Sequence, residues 1–353
     1  MILSIESSCD DSSIAITQIQ TSKLLFHAKI SQESTHSAYG GVVPEIASRL
    51  HAQALPQILS KAKAFLGGDF GCLKAIGVTT QPGLNITLIE GLMMAKALSF
   101  SLNIPLISVN HLKGHIFSLF INQKKTCFPL SVLLVSGGHT LIIEAKSASK
   151  MSIVASSMDD SFGESFDKVA KMLSLGYPGG PIIEKYAQKY ASDYPNTPAM
   201  VFPLPLKHFP YLGFSFSGLK NAVRLAILKA QENRENTTTE AFIAKISAGF
   251  QQTACEHLKK NIQKYLQNKI DQQEPVKNFC IVGGASANLY LREQISGLCA
   301  SFDCHLLVAP LEFCSDNAAM IGRAALEKYH QNDFADIFSL QASPRSTEDE
   351  FLC

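Results

Sequence analysis

Apolar and polar positions along this chain alternate in a rhythm that predicts strands, then helices, then the same again. Ile2-Leu3-Ser4-Ile5 reads as a short strand, Ser7 to Ser13 as a polar turn, and Ile14 to Ile16 and Leu24 to Ile30 as two further strands of a meander. Helical spacing follows from about Pro44 to Leu66. A strand at Ala75 to Thr79, a turn at Pro82-Gly83, a helix at Thr87 to Leu102 and a strand at Leu106 to Val109 come next. Leu130 to Val135 then restarts the pattern as a continuous apolar strand that ends in Ser136-Gly137-Gly138. Leu141 to Glu144 and Ile153 to Ser156 continue it, and a helix is predicted from about Glu164 to Leu173. Between Thr237 and Ile270, apolar residues recur at Phe242, Ile246, Phe250, Ala254, Leu258 and Ile262, which gives one buried helical face. Thr237-x-x-Glu240 has the spacing of a capping box for that helix. A strand at Phe279 to Val282 runs into Gly283-Gly284 and a helix, and a strand at Leu306 to Ala309 precedes a helix at Asn317 to Tyr329. Two successive meanders, each followed by helices, predict a duplicated α/β unit.

Composition narrows this picture without redirecting it. A chain of 353 residues is long enough for two lobes around a central cleft, and 46% hydrophobic with 17% charged residues is a globular balance. The net charge of +1 offers no general field for a polyanion, so nucleic-acid binding would need local patches. Lys259, Lys260, Lys264 and Lys269 read as a solvated helix face. None of the nine cysteines forms a CxxC pair, as expected of small buried residues in a reducing compartment. Glu6, Asp10 and Asp11 argue against a signal peptide. The most apolar window, Leu84 to Val109, is broken by Glu90, Lys96 and Pro105, so no membrane span is expected and the location expected is cytoplasmic.

Several positions carry candidate chemistry. His111 and His115 are spaced to share one face of a helix and hence one metal ion. Leu112 stands where a zinc protease would have its glutamate base, which argues against proteolysis. Asp316, at a strand-to-helix turn, is the candidate third ligand. Leu134-Val135-Ser136-Gly137-Gly138 places glycines at a strand end, where backbone amides can cradle an anion or simply turn the chain. Leu134, standing where a nucleophile elbow needs glycine, argues against a serine hydrolase. Asn288 can hydrogen-bond a base or ribose, or cap the following helix. Asp167, Gly180 and Glu184 are candidates for closing over a ligand, Asp167 having a surface pair with Lys168 as its alternative. Asp10 and Asp11 offer carboxylates in the first polar turn.

Ordered motifs along nearly the whole chain resemble the tRNA N6-adenosine threonylcarbamoyltransferase family. They are Ile5-Glu-Ser-Ser-Cys-Asp-Asp11, Tyr39-Gly-Gly-Val-Val-Pro-Glu45, Asn110-His-Leu-Lys-Gly-His115, Leu134-Val-Ser-Gly-Gly-His-Thr140, Gly163-Glu-Ser-Phe-Asp-Lys-Val-Ala-Lys171, Gly176-Tyr-Pro-Gly-Gly-Pro181, Phe214-Ser-Phe-Ser-Gly-Leu-Lys220, Gly283-Gly-Ala-Ser-Ala-Asn288 and Ser315-Asp-Asn-Ala-Ala-Met320. Asp11 replaces the family's usual glutamate, Gln81 the glycine of its Gly-Pro-Gly-Leu turn, and Gly213 a common acidic residue. The resemblance implies the duplicated two-lobed actin/Hsp70/sugar-kinase-like α/β fold. It sets lobe I at 1–118 with a returning C-terminal helix at about 316–345, and lobe II at 119–315 with a helical insertion at 183–275. It implies one divalent metal ion per chain, iron(II) before zinc, on His111, His115 and Asp316. Threonylcarbamoyl-AMP would be contacted by Leu134, Val135, Ser136, Gly137, Gly138, Asp167, Gly180, Asn288 and Glu184, with Asp10 or Asp11 as the proton acceptor. The threonylcarbamoyl group would pass to the N6 amine of the adenosine 3′ of the anticodon, in tRNAs reading codons that begin with A. AMP would be released. Expected partners are an inactive paralogue of the same fold and a small ATPase. An ATP-dependent small-molecule phosphotransferase of the same fold and a non-catalytic interaction subunit are the alternative readings.

Overall fold

The computed structural model describes residues 1–234 and 236–346. Its strands are β1 (Ile2–Glu6), β2 (Asp11–Thr17), β3 (Leu24–Ser31), β4 (Ala75–Gln81), β5 (Leu106–Asn110), β6 (Leu130–Val135), β7 (Thr140–Ala145), β8 (Met151–Ser156), β9 (Asn278–Val282) and β10 (His305–Val308). Its helices are α1 (Glu33–Ser37), α2 (Pro44–Phe65), α3 (Asn85–Leu102), α4 (His111–Phe117), α5 (Phe162–Met172), α6 (Gly179–Asp193), α7 (Ser217–Glu232), α8 (Glu240–Asp271), α9 (Leu289–Ser301) and α10 (Ala318–His330).

The strands form two sheets of five, in the orders β3-β2-β1-β4-β5 and β8-β7-β6-β9-β10. These are one order used twice, as the two meanders of the sequence anticipate. In each, the first strand of its meander pairs antiparallel with the second and parallel with a later strand: β1 with β2 and β4, β6 with β7 and β9. The sheet-centre strands are mostly apolar because both faces are covered. All five residues of β1 and all six of β6 are buried.

The contacts divide the chain into two compact units. One comprises Met1–Phe128, Lys146–Ser152 and the chain from Ala309 onward; the other comprises Pro129–Ala145 and Ile153–Val308. The core of the first packs Leu3, Ile5, Ile14 and Ile16 against Leu55, Ile58 and Leu92. After α10 the chain stays on this unit, laying Ile337 and Leu340 on that core and hydrogen-bonding Ser343 N–H to Thr80. The core of the second gathers Phe162, Phe166, Phe214, Phe216 and Phe250 with the apolar face of α8. Thr239, not Thr237, caps α8: its hydroxyl accepts from Phe242 N–H, so the capping-box spacing marked the right turn but the wrong threonine. None of the eight cysteines described is in a disulfide; five are buried as expected, while Cys72 and Cys127 are exposed. Lys269 pairs with Glu144 and Glu274. Lys264 binds the carbonyls of Phe209, Pro210 and Tyr211, so this run is in part a structural clamp rather than a bare solvated face.

Candidate metal centre and glycine turns

The sequence turns sharply from β5 into α4 because Asn110 caps the helix, its Oδ1 accepting from Leu112 and Lys113 N–H. The histidines then stand one turn apart on α4, with ring centroids 4.6 Å apart. Gly114 lies between them on the face toward α10, where a Cβ would stand 2.8 Å from Ile321 Cδ1. This close approach of α10 delivers Asp316, which precedes the Asn317 cap of that helix. Asp316 Oδ1 lies 3.4 Å from His111 Nε2 and 3.2 Å from His115 Nε2. One ligating atom from each of the three residues falls within 4.8 Å of the others, so the group can hold a metal ion. His115 is fully buried, and neither of its ring nitrogens has a hydrogen bond, the Asp316 contact being off the hydrogen-bonding direction. A buried imidazole left in that condition is costly unless something else, such as a cation, satisfies it.

The charges of this cluster act on one another. Burial opposes ionisation of Asp316, yet His111 and His115 hold it well below the usual carboxylate range. Burial would lower His111, but Asp316 and Glu6 raise it well above its ordinary value. Burial, backed by His111, keeps His115 below its usual pKa against the pull of Asp316.

The acidic turn between β1 and β2 belongs to the same unit. His51 fixes it from α2, donating from Nε2 to the Cys9 carbonyl at 2.9 Å and meeting Ser12 Oγ at Nδ1 at 2.7 Å. Asp11 pairs with Lys29 at 2.9 Å, and the same ammonium reaches Ser315 Oγ beside Asp316. Burial pushes Asp11 up to about 6 despite Lys29. Asp10, half-buried, ends the turn just before β2.

The other predicted residues lie in the second unit. Leu134 and Val135 bury their side chains in β6, so only their backbone is available to a ligand. At the strand end, Ser136 Oγ accepts from His139 N–H, and Ser161 Oγ donates to the Gly137 carbonyl at 2.6 Å. A Cβ added at Gly137, Gly138 or Gly180 would meet nothing within 4 Å. These three glycines therefore keep open space, whereas their neighbours are glycine for packing. At Gly163 a Cβ would stand 2.5 Å from the Ser136 carbonyl, and at Gly283, with φ +94°, 2.3 Å from that of Val135. Asp167 Oδ1 accepts from Gly179 N–H at 2.7 Å at the start of α6. Lys168 binds Asp160 and Glu164, not Asp167. Asn288 caps α9 through Leu291 N–H and donates to Gln251. Glu184 accepts from Leu289 N–H at 2.7 Å, and burial raises its pKa.

Sequence reasoning singled out neither Glu6 nor Asp159. Glu6 ends an apolar strand and is fully buried, and a lone carboxylate in such a run is the signal that could have found it. Asp159 accepts from the hydroxyls of Ser215 and Ser217 and from the N–H groups of Phe216 and Ser217, fixing the start of α7.

Comparison with known proteins identifies the family. A family model described as "TsaD: tRNA N6-adenosine threonylcarbamoyltransferase" matches residues 23–323. A protein named tRNA N6-adenosine threonylcarbamoyltransferase from Helicobacter pylori (strain G27) is 60% identical over 346 residues, which is 98% of each chain. Proteins of the same name from Helicobacter hepaticus (strain ATCC 51449 / 3B1) and Sulfurimonas denitrificans (strain ATCC 33889 / DSM 1251) are 54% and 55% identical, covering 100% and 98% of this chain and 100% and 99% of their own. Among solved structures, HypF of T. kodakarensis aligns with a TM-score of 0.56 at 13% identity over 99% of this chain, which spans 49% of the HypF chain. That likeness concerns the fold alone. With the repeated sheet order, it puts the chain in the actin/Hsp70/sugar-kinase-like class. Among the described residues no helix is long and apolar enough to cross a membrane.

Proposed function

The chain belongs to the tRNA N6-adenosine threonylcarbamoyltransferase family, and from that premise we propose how its residues carry the reaction. It is a transferase that places a threonylcarbamoyl group on the N6 amine of a tRNA adenosine. With relatives so similar along their whole length, the phosphotransferase and inert-subunit readings have no support.

The observation that carries the proposal is the convergence of His111, His115 and Asp316, with the buried His115 nitrogens lacking hydrogen bonds. These three residues hold one divalent ion. Two imidazoles and one carboxylate suit iron(II) first, with zinc as the alternative. When bound, the ion supplies Lewis-acid polarisation of an oxygen of the acyl donor.

The nucleophile explains the rest. An adenine N6 amine is weak because its lone pair is delocalised into the ring, so the donor must be strongly activated. Threonylcarbamoyl-AMP meets that need, with AMP as leaving group. The open space at Gly137, Gly138 and Gly180 admits its adenylate close to the backbone, where N–H dipoles offset phosphate charge. Asp167, Glu184 and Asn288 each hold a helix N-terminus with one oxygen, which fixes them rigidly for contact with the nucleotide. Asp11, at about 6, is ionised at neutral pH and basic enough to take the N6 proton. Asp10, the residue just before it, is the second candidate.

The acceptor is the adenosine 3′ of the anticodon, in a loop from which a base can be splayed out. A net charge of +1 supplies little attraction for tRNA, which supports action with partner proteins: an inactive paralogue and a small ATPase. The site of action is the cytoplasm. The test incubates the chain and its partners with unmodified tRNA, threonine, bicarbonate and ATP, then analyses the nucleosides by mass spectrometry. Threonylcarbamoyladenosine is expected, and His115→Ala should abolish both product and bound metal. Full activity in that variant would overturn the ligand assignment.

A further inference from the structure

Glu6 is a fully buried carboxylate, and both of its oxygens meet specific donors. Oε1 takes Ser8 N–H at 2.6 Å, and Oε2 takes the Thr79 hydroxyl at 2.6 Å. Oε2 also lies 3.1 Å from His111 Nδ1, which Ser8 Oγ approaches at 3.1 Å as well. Set between a backbone N–H, a hydroxyl and an imidazole nitrogen, Glu6 is placed as the acceptor of all three. The proton on this edge of the imidazole therefore sits on Nδ1. That leaves Nε2, the nitrogen facing Asp316, with its lone pair whenever the ring is neutral.

We propose that Glu6 is a positioning residue for the metal centre: it fixes His111 as the Nδ1–H tautomer and aims the Nε2 lone pair at the ion. The inference rests on the reading of His111, His115 and Asp316 as metal ligands. Its physical basis is general, since a ligating histidine is oriented by whatever accepts its other N–H. His115 shows the contrast, because its Nδ1 has no such acceptor. Of the two histidines, His111 alone has its tautomer set by the fold.

The surroundings of Glu6 make Glu6→Gln a specific probe. Ser8 N–H is a fixed backbone donor, so the amide must turn its oxygen there and its NH2 toward Thr79 and His111 Nδ1. Thr79 can rotate its hydroxyl to accept, but His111 must then accept at Nδ1 and carry its proton on Nε2. The side-chain volume is unchanged, and the ligating lone pair is lost.

Zinc(II) affinity of the full chain, measured by competition with a chelating dye, is expected to fall by about 10- to 100-fold in Glu6→Gln. The melting temperature in excess chelator, read alongside, shows that the variant is folded. Wild-type affinity in a folded Glu6→Gln overturns the role of Glu6 and leaves the ligands standing. No zinc binding by the wild-type chain overturns the ligand assignment itself, and the inference with it. The wild-type protein gives a second readout that needs no variant to fold: ¹⁵N-histidine NMR of the zinc-loaded chain. A His111 ring protonated at Nδ1 and ligated through Nε2 supports the inference; the opposite tautomer overturns it.

Discussion

At the residue scale, glycines of similar appearance have opposite jobs. Gly137→Ala adds a methyl group to open space, so the fold should tolerate it while the KM for the adenylate donor rises. Gly163→Ala drives a methyl onto the Ser136 carbonyl and should cost about 1–3 kcal/mol in urea unfolding. Equal stability losses in the two variants would contradict this division. Asp11 gives a second prediction. Its carboxylate must be ionised to take a proton, so activity should rise with pH through its value of about 6. Lys29→Met removes the cation that partly offsets burial, so the acid limb of kcat/KM should move to higher pH; an unmoved limb would remove Asp11 as the base. The sequence made His111, His115 and Asp316 visible through residue type and motif. Glu6 stayed hidden because its meaning depends on β1 and β4 lying side by side, which brings Thr79 and then His111 to it.

At the element scale, strands and long helices were legible because their periods are written in side-chain polarity: the apolar run of β6 and the stripe of α8 both lie where the pattern put them. Short-range capping was less legible, since Thr237 and Thr239 differ only in which hydroxyl reaches a free N–H. The pairing order of the sheets was not written locally at all, because parallel partners such as β1 and β4 are far apart in sequence. Helix starts are also where proposed function and structure overlap. Asp167 Oδ1 holds Gly179 N–H at the start of α6. Asp167→Asn keeps an acceptor there and removes the charge, so stability should hold while donor KM changes. Asp167→Ala should lose about 1 kcal/mol of stability as well. A KM unchanged in both variants would reduce Asp167 to a cap.

At the scale of the whole molecule, acid stability tests how much of the fold depends on buried neutral groups. Burial lowers the pKa of His27, His51 and His257, most clearly for His257, which falls from 6.5 to about 4. His257 reaches from α8 to the turn that Asp159 holds, its Nε2 accepting from Ser215 N–H at 3.2 Å. Below pH 6.5 the unfolded chain protonates this imidazole and the folded chain does not until about pH 4. Stability from His257 is thus fully present above 6.5 and is lost as pH falls through that window, at about 1.4 kcal/mol per pH unit. Asp11 and Glu184 act in the opposite sense, since burial raises both and their protonation favours the folded state. The wild-type curve therefore mixes gains and losses, and a difference against His257→Gln separates them. Measured by urea unfolding in excess chelator, the stability lost on substitution should be about 2 kcal/mol smaller at pH 5 than at pH 7.5. A loss that is equal at both pH values would mean that His257 takes up its proton in the folded chain as readily as in the unfolded one. The interior around α8 would then be polar or wet enough to hold a charge, contrary to its place beside Phe214 and Phe216 in the core of the second unit.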